Sequence, residues 1–242
     1  MIALSRARRS IRCAAMAAAV ACAGWPSGAG AQAASEPALP ARLGPVARSA
    51  ILAIIDTARG RGLPVAPLAD KAAEGALKGA DDTRIVEAVR SLAAALGTAR
   101  DALGGTADPS VIGAGASALR AGVTPAALRS LGEAGRGAAG AATANPEVLG
   151  TALVTLVDFV AKGVRPEVAS QSIEELLRHG VAESRLVSLR SQVEHDIRGG
   201  QSPESALTMR VRDDVRRLAP PGTSPSRPDA PSGSSVPDTS SR

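Results

Sequence analysis

Aromatic residues are nearly missing from this chain: Trp25 and Phe159 are the only two, and tyrosine does not occur. A core built without them rests on Ala, Leu and Val, whose small side chains let helices approach closely while each contact buries little area. Single-stranded nucleic acid is held largely by stacking bases on aromatic rings, and here there is nothing to stack on. Cysteine is almost as scarce. Cys13 and Cys22 both fall in the leading segment, so the remainder has no thiol for a disulfide, a metal site or a nucleophile. A one-sided charge is lacking as well, despite the net +5. Four of the 28 basic residues, Arg6, Arg8, Arg9 and Arg12, precede residue 34 with no acid among them, leaving 24 basic against 23 acidic residues in the rest. A nearly neutral chain offers no basic footprint for nucleic acid.

The start of the chain carries an address. An Arg-rich opening, a stretch of small apolar residues over 13–24 and the small-x-small pattern Ala31-Gln32-Ala33 are the marks of a signal peptide spanning 1–33 and cleaved after Ala33. An anchoring helix would need about 20 apolar residues, and Gly24, Pro26, Gly28 and Gly30 interrupt the run first. Arg8-Arg9-Ser10-Ile11 resembles the twin-arginine export motif, although Ala7 stands where Ser or Thr is usual, so ordinary Sec export is an equal alternative. Cys22 would be the acylation point of a lipoprotein, but Ala19-Val20-Ala21 lacks the Leu expected three residues earlier. The mature protein is expected to be exported, periplasmic or secreted.

Beyond a leader linker at 34–44, helical periodicity dominates. Pro45 opens a helix with Ile51, Leu52, Ile55 and Ala58 on one face. A second, over 65–78, places Val65, Leu68, Ala72, Ala76 and Leu77 at helical spacing. Asp81 or Asp82 caps a third, in which Ile85, Val89, Leu92, Leu96, Ala99 and Leu103 form a seam. Asp108-Pro109 and Thr124-Pro125 start two short helices. From Gly132 to Ala144 the chain is mostly Gly and Ala, which reads as a flexible joint (132–144) between an N-terminal helical lobe (45–131) and a C-terminal one (145–218). The segment after Pro146 is apolar on nearly every face and must be buried. Helices near 166–179, 183–198 and 203–218 complete the second lobe. Residues 219–242, dense in Pro, Ser, Gly and Asp, bury too little to order themselves and read as a disordered tail.

One turn recurs at Gly62, Gly79, Gly122, Gly163, Gly180 and Gly200. Glycine closes one helix in the left-handed conformation, the following residue, often apolar, packs back, and a cap with Pro or an acid opens the next helix. Helices joined this tightly are antiparallel or sharply angled neighbours. The expected fold is therefore all-α: about nine helices in antiparallel hairpins, forming a small bundle or a degenerate α-solenoid.

Candidate chemistry is sparse. Glu175 and His179 project from one helical face and could supply two metal ligands, with the third still to be found elsewhere; the alternative is a polar helix terminus beside Gly180. His195 lies between Glu194 and Asp196, but adjacent helical residues diverge by about 100° and do not converge on a site. Gly113-Ala114-Gly115 has no preceding strand to make it a dinucleotide loop. Ser188 and Ser191 have no histidine in a recognisable motif, and Glu174-Glu175 and Asp213-Asp214 read as exposed helix acids near Arg178 and Arg217. Arg210, Arg212, Arg216 and Arg217 back the apolar stripe of the last helix, which could lie on an anionic membrane, though docking against the lobe is the favoured reading. No catalytic, cofactor-binding or metal-ligating residue is assigned, and no cofactor. The function expected is a non-enzymatic scaffold or protein- or peptide-binding module of the bacterial cell envelope, with a metal-dependent or hydrolytic envelope enzyme, or a peripheral membrane protein, as the alternatives. The intact mass of the exported protein should correspond to a chain beginning at Ala34, which leaves no cysteine to acylate; a chain beginning at Cys22 would reverse that expectation.

Overall fold

All the described helices but one, which begins at Glu183, start at a side-chain cap or a proline, and seven of them stop at a glycine of positive φ. The computed structural model describes residues 39–104, 108–137 and 145–218. The signal peptide, most of the leader linker, residues 138–144 of the expected joint and the 219–242 tail lie outside these. Among the described residues there are nine helices and no strand: α1 (Pro45–Gly60), α2 (Ala66–Leu77), α3 (Asp82–Leu103), α4 (Pro109–Arg120), α5 (Pro125–Gly137), α6 (Pro146–Ala161), α7 (Pro166–Arg178), α8 (Glu183–Arg198) and α9 (Pro203–Leu218). The fold is all-α, as the periodicity predicts.

The caps divide the labour at the helix starts. Asp81 accepts from the Arg84 amide at 2.9 Å, Asp108 from Ser110 at 2.8 Å and Asn145 from Glu147 at 3.0 Å. Each satisfies an amide that the helix leaves without a partner. Asp82, the other candidate cap of α3, instead reaches across to accept from the Gly44 amide at 3.0 Å, pinning the start of α1 to the start of α3.

All six glycines of the recurring turn have positive φ. In every case the amide of the next residue bonds the carbonyl five positions back: Val123 to Ala118, Val164 to Phe159 and Val181 to Leu176, at 3.0–3.1 Å, and likewise Leu63, Ala80 and Gln201. This is the Schellman closure. Leu63, Val123, Val164 and Val181 are buried, so the turn is anchored by apolar packing as well as by hydrogen bonds.

Packing follows two parallel rows. α4 rests on α6 and α6 on α8, while α3 rests on α5, α5 on α7 and α7 on α9; α1 and α2 pack against α3. Each hairpin lies on the one before, the order of an α-solenoid. The hairpin turns at Gly122, Gly163 and Gly200 stack in turn, 41 and 37 residues apart. A Cβ on Gly122 would lie 3.3 Å from Pro166 in the next turn, and one on Gly163 would lie 3.9 Å from Pro203 in the turn after.

Two expectations need correcting. The Gly/Ala joint does not begin at 132, because α5 continues to Gly137 with Gly132 and Ala134 buried. The small residues there are a packing surface: a Cβ on Gly132 would sit 3.4 Å from Leu103 of α3, and Arg136 donates to the Leu103 carbonyl at 3.3 Å. The cores expected of two lobes are continuous, since α4 packs on α6 and α5 on α7. Leu77, placed on the buried face of α2, is 89% exposed. The inward stripe is Leu68, Ala72 and Ala76 at steps of four, and Leu77 is one residue, about 100°, round from it.

The turn and the helix interior ask opposite things of glycine. Gly163→Ala should destabilise the fold by ~1–2 kcal/mol, the cost of a Cβ in the left-handed region, because its surroundings impose no clash. Gly113→Ala, inside α4 with open space around it, should stabilise by ~0.5–1 kcal/mol. Denaturant unfolding of both variants checks the sign of each.

Candidate functional site

Most ion pairs among the described residues lie within one helix, and a few, among them Arg165–Glu204, Asp158–Arg190, Arg185–Asp214 and Asp196–Arg210, join one helix or turn to another. Glu175 and His179 are both exposed at the end of α7, where the His179 amide bonds the Glu175 carbonyl as part of the helix closure. No group of three His, Cys, Asp or Glu residues among the described residues is placed to hold a metal ion. His195 is exposed on α8. Ser188 donates to the Ser184 carbonyl at 2.9 Å, an ordinary helix back-bond. Gly113-Ala114-Gly115 lies inside α4, and Gly115 is a packing position, with Ala99 and Leu103 of α3 and Leu128 of α5 around the space a Cβ would take. Glu174 pairs with Arg178 one turn on.

Sequence reasoning missed the two carboxylates that matter most. Asp214, read from the sequence as an exposed helix acid, is 1% exposed, and Asp196 is 6% exposed. Asp196 of α8 accepts both arms of Arg210 of α9, at 2.6 and 2.8 Å. Asp214 of α9 accepts from Arg185 of α8, with Arg217 a turn away at 3.5 Å. Each helix of this antiparallel pair thus supplies one buried carboxylate and one guanidinium, crosswise. The apolar contribution of α9 to the core is only Ala206, Leu207 and Val211, and the paired charges complete the interface. The visible signal was the spacing: Leu207, Val211 and Asp214 follow one another at steps of four and three, on the inward stripe. The stripe of α9 docks against α7 and α8, and the Arg210 expected opposite that stripe is folded onto α8.

The same pairing sets the electrostatics. The Arg210 guanidinium holds the Asp196 carboxyl below its usual range, and Arg165 does so for Glu204 through a 2.6 Å bond between the stacked hairpin turns. Lys71 and Lys78 bring Glu74 down to about 2. Arg185 is raised by its bond to Asp214.

What remains open to a partner is a set of grooves between helices. One of about 590 Å³ separates α7 from α9 and includes Val168, Thr208, Met209 and Arg212. Its charges are largely paired among themselves, Arg165 with Glu204 and Arg216 with Asp213. A second, of about 300 Å³ between α5 and α7, is lined by polar residues such as Ser130, Glu133 and Glu174. A third, of about 500 Å³ between α1 and α3, has a floor of Ala50, Ala53, Ile54, Ala93 and Ala94. Thr57 in that groove has its hydroxyl bonded to the Ala53 carbonyl at 2.8 Å, so its one polar side chain other than arginine is already satisfied. A smaller one, of about 180 Å³, is lined by Val148, Leu149, Leu177 and Val181. The chain matches no family model, no curated protein and no solved structure. These features define an all-helical hairpin array whose accessible concavities are inter-helix grooves.

Because the folded carboxyls of Asp196, Glu204 and Glu74 sit below their unfolded values, their contribution is complete above the ordinary carboxylate range, about pH 4, and is lost as pH falls through the lowered values. The melting temperature should therefore stay level from about pH 7 to 5 and drop below about pH 4. The drop should be shallower in Asp196→Asn, measured by circular dichroism.

Proposed function

We propose that this chain is an exported, non-enzymatic helical module of the bacterial cell envelope that holds a protein or peptide partner in a groove between its helices. The observation that supports this reading best is the contrast within the surface. The α7/α9 groove is lined by charged side chains paired with one another, whereas the α1/α3 groove presents a floor of Ala50, Ala53, Ile54, Ala93 and Ala94 in which the Thr57 hydroxyl is already bonded. Grooves between stacked helices are the extended binding surfaces of solenoid architectures. The leader over residues 1–33 supports the location, since its Arg-rich start, small apolar stretch and Ala31-Gln32-Ala33 pattern mark a secretory signal.

Site-directed photo-crosslinking in the producing cells tests the reading. A photoreactive side chain at position 53, 130 or 208, one in each of the three larger grooves, should yield a discrete protein adduct from at least one of them. The same group at Ser117, on the solvent side of α4, should yield none. Absence of a discrete adduct from all three grooves would sink the proposal.

A further inference from the structure

The α1/α3 groove sets two arginines, Arg61 and Arg90, against an apolar floor. α1 and α3 run parallel with a fixed offset, Gly44 meeting Asp82 and the end of α1 meeting Gly97 and Arg100. Arg61, at the end of α1, lies over buried Gly97, where a Cβ would come within 3.0–3.4 Å of its guanidinium. Only glycine leaves room for that placement. No carboxylate among the described residues pairs with Arg61. Arg90, on α3, pairs at 2.6 Å with Glu87 a turn away on the same helix; both are exposed, and such pairs are worth little and open readily. By the offset, Arg90 stands level with about residue 52 of α1, so the two arginines are roughly 14 Å apart along the axis, about nine helical residues, with Ala53, Ile54, Ala93 and Ala94 between them.

Elsewhere in the molecule, faces made of the same small residues are covered by a helix. Gly115 of α4 closes on Ala99 of α3, and Gly132 of α5 on Leu103 of α3, because small side chains let backbones approach. The alanine-lined face of α1 and α3 has that chemistry and no covering helix among the described residues. We infer that the α1/α3 groove docks an amphipathic helix of a partner protein, one with a stripe of small aliphatic side chains and with carboxylates spaced to meet Arg61 and Arg90. This inference rests on the binding role proposed above and names the site and the partner's chemistry.

The test is fluorescence anisotropy of the exported chain with a synthetic helical peptide bearing an Ala/Leu stripe and a Glu at each end of it, about nine residues apart. Saturable binding is expected, at least tenfold tighter than for the same peptide with Lys in place of Glu. Ala53→Arg fills the floor from an exposed position without touching the core and should abolish binding while leaving the circular dichroism melt unchanged. Arg61→Glu should weaken the Glu peptide about fivefold, the scale of one exposed ion pair, and should improve the Lys peptide. Equal binding of the two peptides, no binding of either, or indifference to Ala53→Arg would each overturn the inference. So would self-association in analytical ultracentrifugation that Ala53→Arg removes, since the occupant would then be a second copy. Photo-crosslinking separates the two levels: if an adduct forms at position 130 or 208 and persists in Ala53→Arg, the binding role stands and this groove is wrong. If no groove yields an adduct, both fall.

Discussion

The structure depends on one closure, repeated: a glycine in the left-handed region, followed by an aliphatic residue whose amide bonds back five positions and whose side chain enters the core. A helix that simply frayed would leave its last carbonyls to water and the direction of the next helix undetermined. The glycine turns the chain, and the buried Leu63, Val123, Val164 or Val181 fixes the angle at which it re-enters. Gln201 breaks the pattern, being exposed. At that turn the next hairpin arm is held instead by the Asp196–Arg210 pair immediately beside it. The stacking of Gly122 on Pro166 and of Gly163 toward Pro203 carries the turn geometry from one hairpin to the next.

The shortage of aromatic residues explains how the helices pack. With Phe159 the only aromatic side chain in the described core, the space between helices is filled by shrinking it. Buried Gly115 of α4 and Gly132 of α5 let those helices close on Ala99 and Leu103 of α3, and Gly75 of α2 lies against Ile85 of α3. Such interfaces gain from close van der Waals contact and bury little area per residue. Between α8 and α9 the apolar contacts are supplemented by carboxylate–guanidinium pairs. Their partners lie on opposite helices, so they also set the register of the hairpin. The outward polar character of α8, with Ser184, Ser188, Ser191 and His195 exposed, is what a terminal repeat requires to end a stack in water.

Helix starts and stops were legible because they depend on local chemistry. Proline at the first position, Asp or Asn before it and glycine after the last turn act within four or five residues, and they placed the boundaries of α1 to α4 and α6 to α9 closely. The apolar seam of α3 was legible for the same reason. The Gly/Ala stretch after Gly132 was misread because small residues give the same local signal whether they loosen a chain or let two helices touch. Leu77 was misread because α2 is short and its stripe turns away after Ala76. The groove floor had no signal at all: Ala50, Ala53, Ala93 and Ala94 are ordinary helix formers until α1 and α3 are set side by side.

What the sequence determined by itself is the list of helices, their caps and the glycine closures between them, since each arises from neighbours along the backbone. What only the tertiary structure decided is which of those helices lie together and what is left uncovered: the crosswise burial of Asp196 and Asp214, the use of glycine for contact in α4 and α5, and the open alanine face between α1 and α3. Those depend on residues 14 to 39 positions apart meeting in space, and the energy of such a meeting is not written in either partner alone.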